Sequence, residues 1–408
     1  MSRTANPTSS HNTQHASLPT APTCVVCTST ATEQFVTVPQ VPVLCNILWP
    51  SKAEATGVRR VDIGLAFCRR CGHIWNPGFD PGLMDYSQVY ENSLHFSPRF
   101  QQFAEELAAT LVARHDLHGK DIVEISCGKG DFLELLCRLG HNNGYGFDPS
   151  YVGALTRDLG QGHVTFVQDF YSKKYQDTPA DFLCCRHTLE HIEEPRDFLQ
   201  MIRNTIGARQ IPVYFEVPNV LFTLHDLAIW DIIYEHCGYF SADSLRYLFA
   251  QAGFAVTAVQ PTYEGQFLYI EARSPAALST LSIDETATSR LIAEVHDFAD
   301  RYHRKVAVET EKLAAAKAAG EKVVIWGTGS KGITYLNMLP TQDLIEYAVD
   351  LNVRKQGKFV TGTGQQIVSP EFLQRYQPDR IIVMNPIYMD EIQQMVTALD
   401  LSAELVEA

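Results

Sequence analysis

The residues best suited to proton transfer stand in one run, Trp230-Asp231-Ile232-Ile233-Tyr234-Glu235-His236-Cys237-Gly238-Tyr239-Phe240. A phenol, a carboxyl and an imidazole follow one another there, and an imidazole with an unperturbed pKa of about 6.5 suits proton abstraction near neutral pH. His236 is the candidate base, with Glu235 beside it to orient the ring or raise its basicity and Tyr234 as the phenol. A buried histidine satisfied by hydrogen bonds would give the same letters. A second segment, Cys185-Arg186-His187-Thr188-Leu189-Glu190-His191-Ile192, adds His187 and His191. Four cysteines form two knuckles, Cys24-Val-Val-Cys27 and Cys68-Arg-Arg-Cys71-Gly72. Four thiolates complete a closed tetrahedral zinc site, one ion per chain and structural, with no open position for chemistry. Four unrelated thiols are the alternative. A redox pair fits less well, because two such pairs flank one segment.

Glycine loops supply the ligand chemistry. In Val123-Glu124-Ile125-Ser126-Cys127-Gly128-Lys129-Gly130-Asp131-Phe132 a strand runs into a helix start, where Gly128 and Gly130 let the backbone approach a ligand. A second strand ends at Phe147-Asp148-Pro149, setting Asp148 18 residues after Gly130; an acid there can accept both ribose hydroxyls. The next strand ends at Gln168-Asp169-Phe170, where Asp169 is placed to meet an adenine amino group. The loop lacks the third glycine of a dinucleotide fingerprint, so no pyrophosphate need be seated.

These groups need a scaffold. The 408 residues give room for two or three domains, and their 45% hydrophobic and 20% charged content is that of a globular protein. A net charge of −14 argues against a nucleic-acid surface, and no apolar run is long enough to span a membrane. Residues 1–22 lack the apolar content for a core and are expected to be disordered, without the pattern of a secretory signal. Cys184 and Cys185 are adjacent and four other cysteines have metal spacing, which suits a reducing, cytoplasmic compartment. Residues 23–95 form the cysteine module. Residues 96–280 alternate strands and helices in the manner of a doubly wound α/β sheet, and 281–408 hold a bridging helix and a second Rossmann-like α/β unit.

The order of strand, GxG loop, ribose acid and Leu189-Glu190-His191-Ile192 segment resembles class I S-adenosylmethionine-dependent methyltransferases. That resemblance implies a Rossmann-like fold and S-adenosylmethionine as cofactor, held by Glu124, Ser126, Gly128, Gly130, Asp131, Phe132, Asp148, Pro149, Asp169, Phe170 and His187. The layout from 23 to 408 resembles one group of these enzymes, the zinc-containing sugar-nucleotide C-methyltransferases of deoxysugar pathways. By it, His236 is the base at the carbon beside a 4-keto group, Glu235 its neighbour, His191 a second active-site histidine and Tyr90 an active-site tyrosine. The family leaves one residue between its Tyr and Glu; here Tyr234 abuts Glu235, so Ile233 occupies the usual tyrosine position.

The C-terminal unit opens with Val323-Val324-Ile325-Trp326-Gly327-Thr328-Gly329-Ser330-Lys331-Gly332, a full GxGxxG, and Asp350 follows Gly332 by 18 residues. Alone this reads as a dinucleotide site and an NAD-dependent oxidoreductase, although about 90 residues leave space for only half of such a fold. Lys331, Arg354, Lys355 and Lys358 could neutralise a diphosphate, with Asn385 and Tyr388 near the same crevice. The resemblance implies a nucleotide-diphosphate sugar bound by Gly327, Gly329, Lys331, Asp350, Lys355, Asn385 and Tyr388. An O- or N-methyltransferase on another small molecule, and a non-catalytic scaffold, stay open, as does a monomer or homodimer.

Overall fold

A computed structural model describes residues 22–84, 90–91, 93–274 and 285–408, so nearly all of the tail expected to be disordered lies outside the described residues. The 40 residues between the cysteine pairs are largely a hairpin. Strands β1 (Thr32–Pro42) and β2 (Arg60–Cys68) pair antiparallel with Thr32 opposite Cys68, which carries the second knuckle back to the first. A short strand β3 (Ile74–Trp75) joins β2, and the sheet takes its fourth strand, Gly238–Tyr239, from far along the chain. The far end of the hairpin, with helix Lys52–Thr56, reaches the C-terminal unit. There Trp49 Nε1 donates to Thr361 Oγ1 at 3.0 Å, and Gly362 N donates to Ala55 O at 2.7 Å.

The central sheet follows helix Pro98–His115, whose start is fixed by Ser97 capping Phe100 N and by Pro98 in the first turn. Its strands are β4 (Asp121–Ile125), β5 (Asn143–Phe147), β6 (Thr156–Asp158), β7 (His163–Val167), β8 (Phe182–Arg186), β9 (Pro212–Pro218), β11 (Ala255–Thr262) and β12 (Phe267–Arg273), with β10 being Gly238–Tyr239 of the first sheet. The order is β11-β12-β9-β8-β4-β5-β7-β6. Five central strands are parallel, and β12 runs antiparallel to both neighbours. An all-parallel dinucleotide sheet has no such inserted strand. This is the class I methyltransferase sheet. Strand β8 is buried along its whole length, as a parallel strand covered on both faces must be. Two edge strands escape a reading of the sequence: β6 is three residues long, and β11 contains Pro261, which removes a ladder donor and suits only an edge.

Helix Glu285–Ala319 leads to β13 (Val323–Trp326), β14 (Ile345–Val349), β15 (Gln366–Val368), β16 (Arg380–Val383) and β17 (Glu404–Glu407). All five are parallel, in the order β15-β14-β13-β16-β17. The expectation of half a dinucleotide fold is therefore too small. Short connections let five strands fit, and the direction of winding reverses at β13, next to the second glycine loop. One apolar core joins the parts: Val38 and Ile63 of the hairpin, Trp230 and Ile233 of the insertion between β9 and helix Ala242–Gln251, Phe298 of the long helix and Ile325 and Leu336 of the C-terminal unit belong to one cluster.

Candidate active site

A cavity of about 860 Å³ runs from the first glycine loop to the second. At one end lies the turn after β4. Ser126 (φ 56°) and, after β8, His187 (φ 51°) are held in the left-handed region, a conformation costly for residues with a Cβ and often kept at functional sites. Asp148 Oδ2 accepts from Gly128 N at 2.9 Å, while Oδ1 accepts from Ser150 N and Oγ. Glu124, Ser126, Gly128, Asp131, Phe132, Asp148, Pro149, Phe170 and His187 all line the cavity. Glu124 Oε2 is buried without a hydrogen-bond partner, and burial pushes its carboxyl up to about 8. An orphaned acid beside a glycine cradle fits a donor that carries both a sulfonium and an ammonium group.

Two residues expected to hold the donor do not line the cavity. Asp169 does not line the cavity; its Oδ2 accepts from Tyr175 OH at 2.6 Å and Lys174 Nζ at 3.0 Å on the surface. Gly130 does not line it either. A Cβ there would meet the Phe166 ring at 2.4 Å, so this glycine serves packing.

The middle of the cavity is built on a buried ion network. Arg186 Nη2 and Nε donate to Glu216 Oε1 at 2.7 and 3.0 Å, and His187 Nε2 lies 3.0 Å from the same oxygen. Although burial alone would raise it, Arg186 and His187 hold Glu216 down at about 2. Above this floor stand His191 and His236, ring centres 4.9 Å apart and nearly perpendicular. His191 Nδ1 donates to Glu235 O at 2.8 Å, which fixes the neutral tautomer with Nε2 as the basic nitrogen. Burial, with a smaller effect from His187, holds His191 down near 4; burial and the neighbouring His191, His187 and Lys331 push His236 well below the usual histidine range. Both imidazoles are thus neutral at pH 7, the form a base needs.

Glu235 does not line the cavity: its carboxyl accepts from Cys45 N at 3.3 Å and interacts with Tyr90, and burial pushes it up to about 7. Tyr90 does line the cavity. Tyr234 does not: it is buried against Phe79, and its hydroxyl accepts from Asp80 N at 2.8 Å. A turn closed by His236 N donating to Ile233 O at 3.2 Å explains the split: Ile233 and His236 line the cavity, while Tyr234 and Glu235 at the tip of the turn do not. Glu190, not singled out by sequence, lines the cavity beside His191 and His236.

At the far end Gly327, Gly329, Lys331, Asp350, Lys355, Asn385 and Tyr388 line the same cavity. Gly329 has open space where a side chain would be, whereas a Cβ at Gly332 would strike Gly327 O at 1.9 Å. Lys331 pairs with Asp231 of the insertion, and Lys355 Nζ donates to Thr328 O at 2.9 Å. Arg354 and Lys358 do not line it; Arg354 donates to Glu91 at 3.0 Å. Asn385 exchanges two hydrogen bonds of 3.0 Å with Gln266, and Tyr388 OH lies 2.7 Å from Tyr263 OH. Both side chains therefore also tie the C-terminal unit to the central sheet.

Away from the cavity, Cys24, Cys27, Cys68 and Cys71 converge, buried, with Sγ–Sγ distances of 3.6 Å for Cys24–Cys71 and 3.5 Å for Cys27–Cys68. A tetrahedral ion with Zn–S of about 2.3 Å sets sulfurs about 3.8 Å apart, so the set fits zinc.

Residues 96–259 match the family model for a methyltransferase domain, and residues 270–406 match that for a C-methyltransferase C-terminal domain. The C-methyltransferase NovU of Streptomyces niveus is 26% identical over 395 residues, covering 90% of each chain. Among solved structures, magnesium protoporphyrin IX methyltransferase (ChlM) of Synechocystis PCC 6803 is 19% identical with a TM-score of 0.32, over 43% of this chain and 83% of that one. An S-adenosylmethionine-dependent methyltransferase of Mesorhizobium loti is 14% identical with a TM-score of 0.32, over 41% and 99%. With the inserted antiparallel strand and the donor cradle at the end of β4, the family matches give one conclusion: the chain is an S-adenosylmethionine-dependent methyltransferase with a C-methyltransferase C-terminal domain.

Proposed function

We propose that the enzyme methylates the carbon beside the keto group of a nucleotide-diphosphate 4-keto sugar. The observation that carries this reading is the single cavity, which joins the donor cradle, two neutral histidines and a second glycine loop suited to a diphosphate. S-adenosylmethionine supplies an electrophilic methyl group. Asp148 and the turn at Gly128 hold the donor, and Gly329 and Lys331 hold the acceptor's diphosphate. His236 takes the hydrogen from the carbon that the keto group acidifies as a proton, leaving an enolate whose carbon bonds the methyl group as the sulfur–methyl bond breaks and S-adenosylhomocysteine leaves with that electron pair. Fixing both partners in one geometry is worth roughly 7–11 kcal/mol in favourable intramolecular models. Zinc, held by Cys24, Cys27, Cys68 and Cys71, stabilises the fold that carries the insertion and takes no part in the chemistry. The acceptor is a small molecule, and the enzyme works in the cytoplasm.

Screening nucleoside-diphosphate 4-keto sugars by intact mass tests the reading: one of them should gain a methyl group in the presence of donor. The five parallel strands at a GxGxxG favour a rival, an NAD-linked oxidoreductase. Micromolar NAD binding with hydride transfer, and no methyl gain on any such sugar, would support it.

A further inference from the structure

We propose that Glu190 is the acid of the reaction, donating a hydrogen bond to the acceptor's carbonyl oxygen while His236 removes the neighbouring hydrogen. The inference rests on the carbon-methylation reading. That chemistry needs two opposed groups: a base at the carbon and a donor where negative charge develops on oxygen. Sequence offers histidines and tyrosines for both roles; the structure adds a buried carboxyl beside the two histidines.

Glu190 sits in the turn Leu189–His191 just after β8, is 2% exposed and lines the cavity. Its Oε2 is buried with no hydrogen-bond partner. One ligand atom each from Glu190, His191 and His236 lie within 4.8 Å of one another, so the carboxyl and the two imidazoles can meet one small group. Glu235, the carboxyl next to His236 in sequence, faces the hairpin instead.

The groups facing Glu190 are His187, whose Nδ1 is 3.8 Å from Oε1, and His191, His236, Glu216, Cys185 and Cys237. Burial pushes Glu190 up to about 8, with Glu216 adding to the rise, so the carboxyl is protonated at pH 7. Titratable neighbours whose environments drive their pKa values apart mark an acid and a base: here a neutral carboxyl able to donate and a neutral imidazole able to accept. In the step, the hydrogen of the acidified carbon passes to His236 as a proton. The electron pair of its C–H bond becomes the enolate, and Glu190 keeps its proton while hydrogen-bonding the oxygen.

The test compares Glu190→Gln, which keeps the shape and a donor but cannot titrate, with Glu190→Ala, which has no donor. With the full chain and a nucleoside-diphosphate 4-keto sugar, the Ala variant should lose about 10²–10³-fold in kcat and the Gln variant less. The parent's kcat should fall as pH rises through the Glu190 ionisation, and the Gln variant should lack that fall. Infrared difference spectra of substrate-free parent and Gln variant at pH 6.5 should show a protonated-carboxyl band present only in the parent. That band needs no acceptor, so a wrong Glu190 and a wrong acceptor are told apart. An unchanged band, parent-like kcat in Glu190→Ala, or the same alkaline fall in Glu190→Gln would overturn the proposal. So would a second metal ion per chain that Glu190→Gln abolishes, which would give the cluster to a cation.

Discussion

At the residue scale, the direction of a side chain decides its role more than its identity does. His236 and Tyr234 are two residues apart, yet one faces the cavity and the other is locked to Asp80. Replacing His236 with Asn should lower kcat by roughly 10²–10⁴ if it is the general base, with both substrates still bound, as paired kinetics and calorimetry would show. Parent-like turnover in that variant would shift the role to His191. Asp148→Ala removes the acceptor that holds Gly128 N; S-adenosylhomocysteine should bind with a loss of roughly 1–3 kcal/mol, read by calorimetry. The sequence made the histidines legible because imidazole is chemically rare, but it gave no sign of side-chain direction in an irregular insertion. The contacts of Asp169 were hidden for a similar reason, since its carboxylate accepts from Lys174 and Tyr175 a few residues along the chain.

At the element scale, strand ends carry the site. The turns after β4, β8, β9, β13 and β14 all open on the cavity, and each was legible as an apolar run ending in Gly, Asp, His or Asn. The insertion between β9 and helix Ala242–Gln251 was not, because its β10 is two residues long and pairs with a strand about 160 positions away. That pairing joins the cysteine module to the segment that bears His236. Cys68 and Cys71 share a core with Trp75, Phe240 and Leu248, next to the segment that bears His236. Cys71→Ser should therefore lower metal content, Tm and kcat together, as elemental analysis, calorimetry and turnover would measure. Full activity in metal-free protein would break the link. The second glycine loop gives a separable outcome: Lys331→Ala should raise the acceptor KM while donor affinity stays unchanged, because the side chain lies at the far end of the cavity.

For the whole molecule, three sheets share cores, so the parts should not unfold one at a time. The hairpin, insertion, long helix and C-terminal unit contribute to one cluster, and calorimetry should show a single main transition; two well-separated ones would contradict it. Buried carboxyls also set a pH dependence. Glu124 and Glu190 are pushed up to about 8 and Glu235 to about 7. Their folded values exceed the unfolded reference of about 4.3, so the stability they contribute is complete below that value and is lost as pH rises toward the folded ones. Neutral buried His191, held near 4, acts in the opposite sense as pH falls below about 6.5. The Tm of the parent should thus drop from pH 6.5 to 8, and Glu190→Gln should drop less; equal slopes would argue against a neutral Glu190. The central claim is tested most directly by the position of the new methyl group. The full chain would be incubated with donor labelled by carbon-13 in its methyl and a nucleoside-diphosphate 4-keto sugar, and followed by NMR. The expected result is a methyl signal on carbon, next to the keto group. A signal from methyl on oxygen or nitrogen would contradict it.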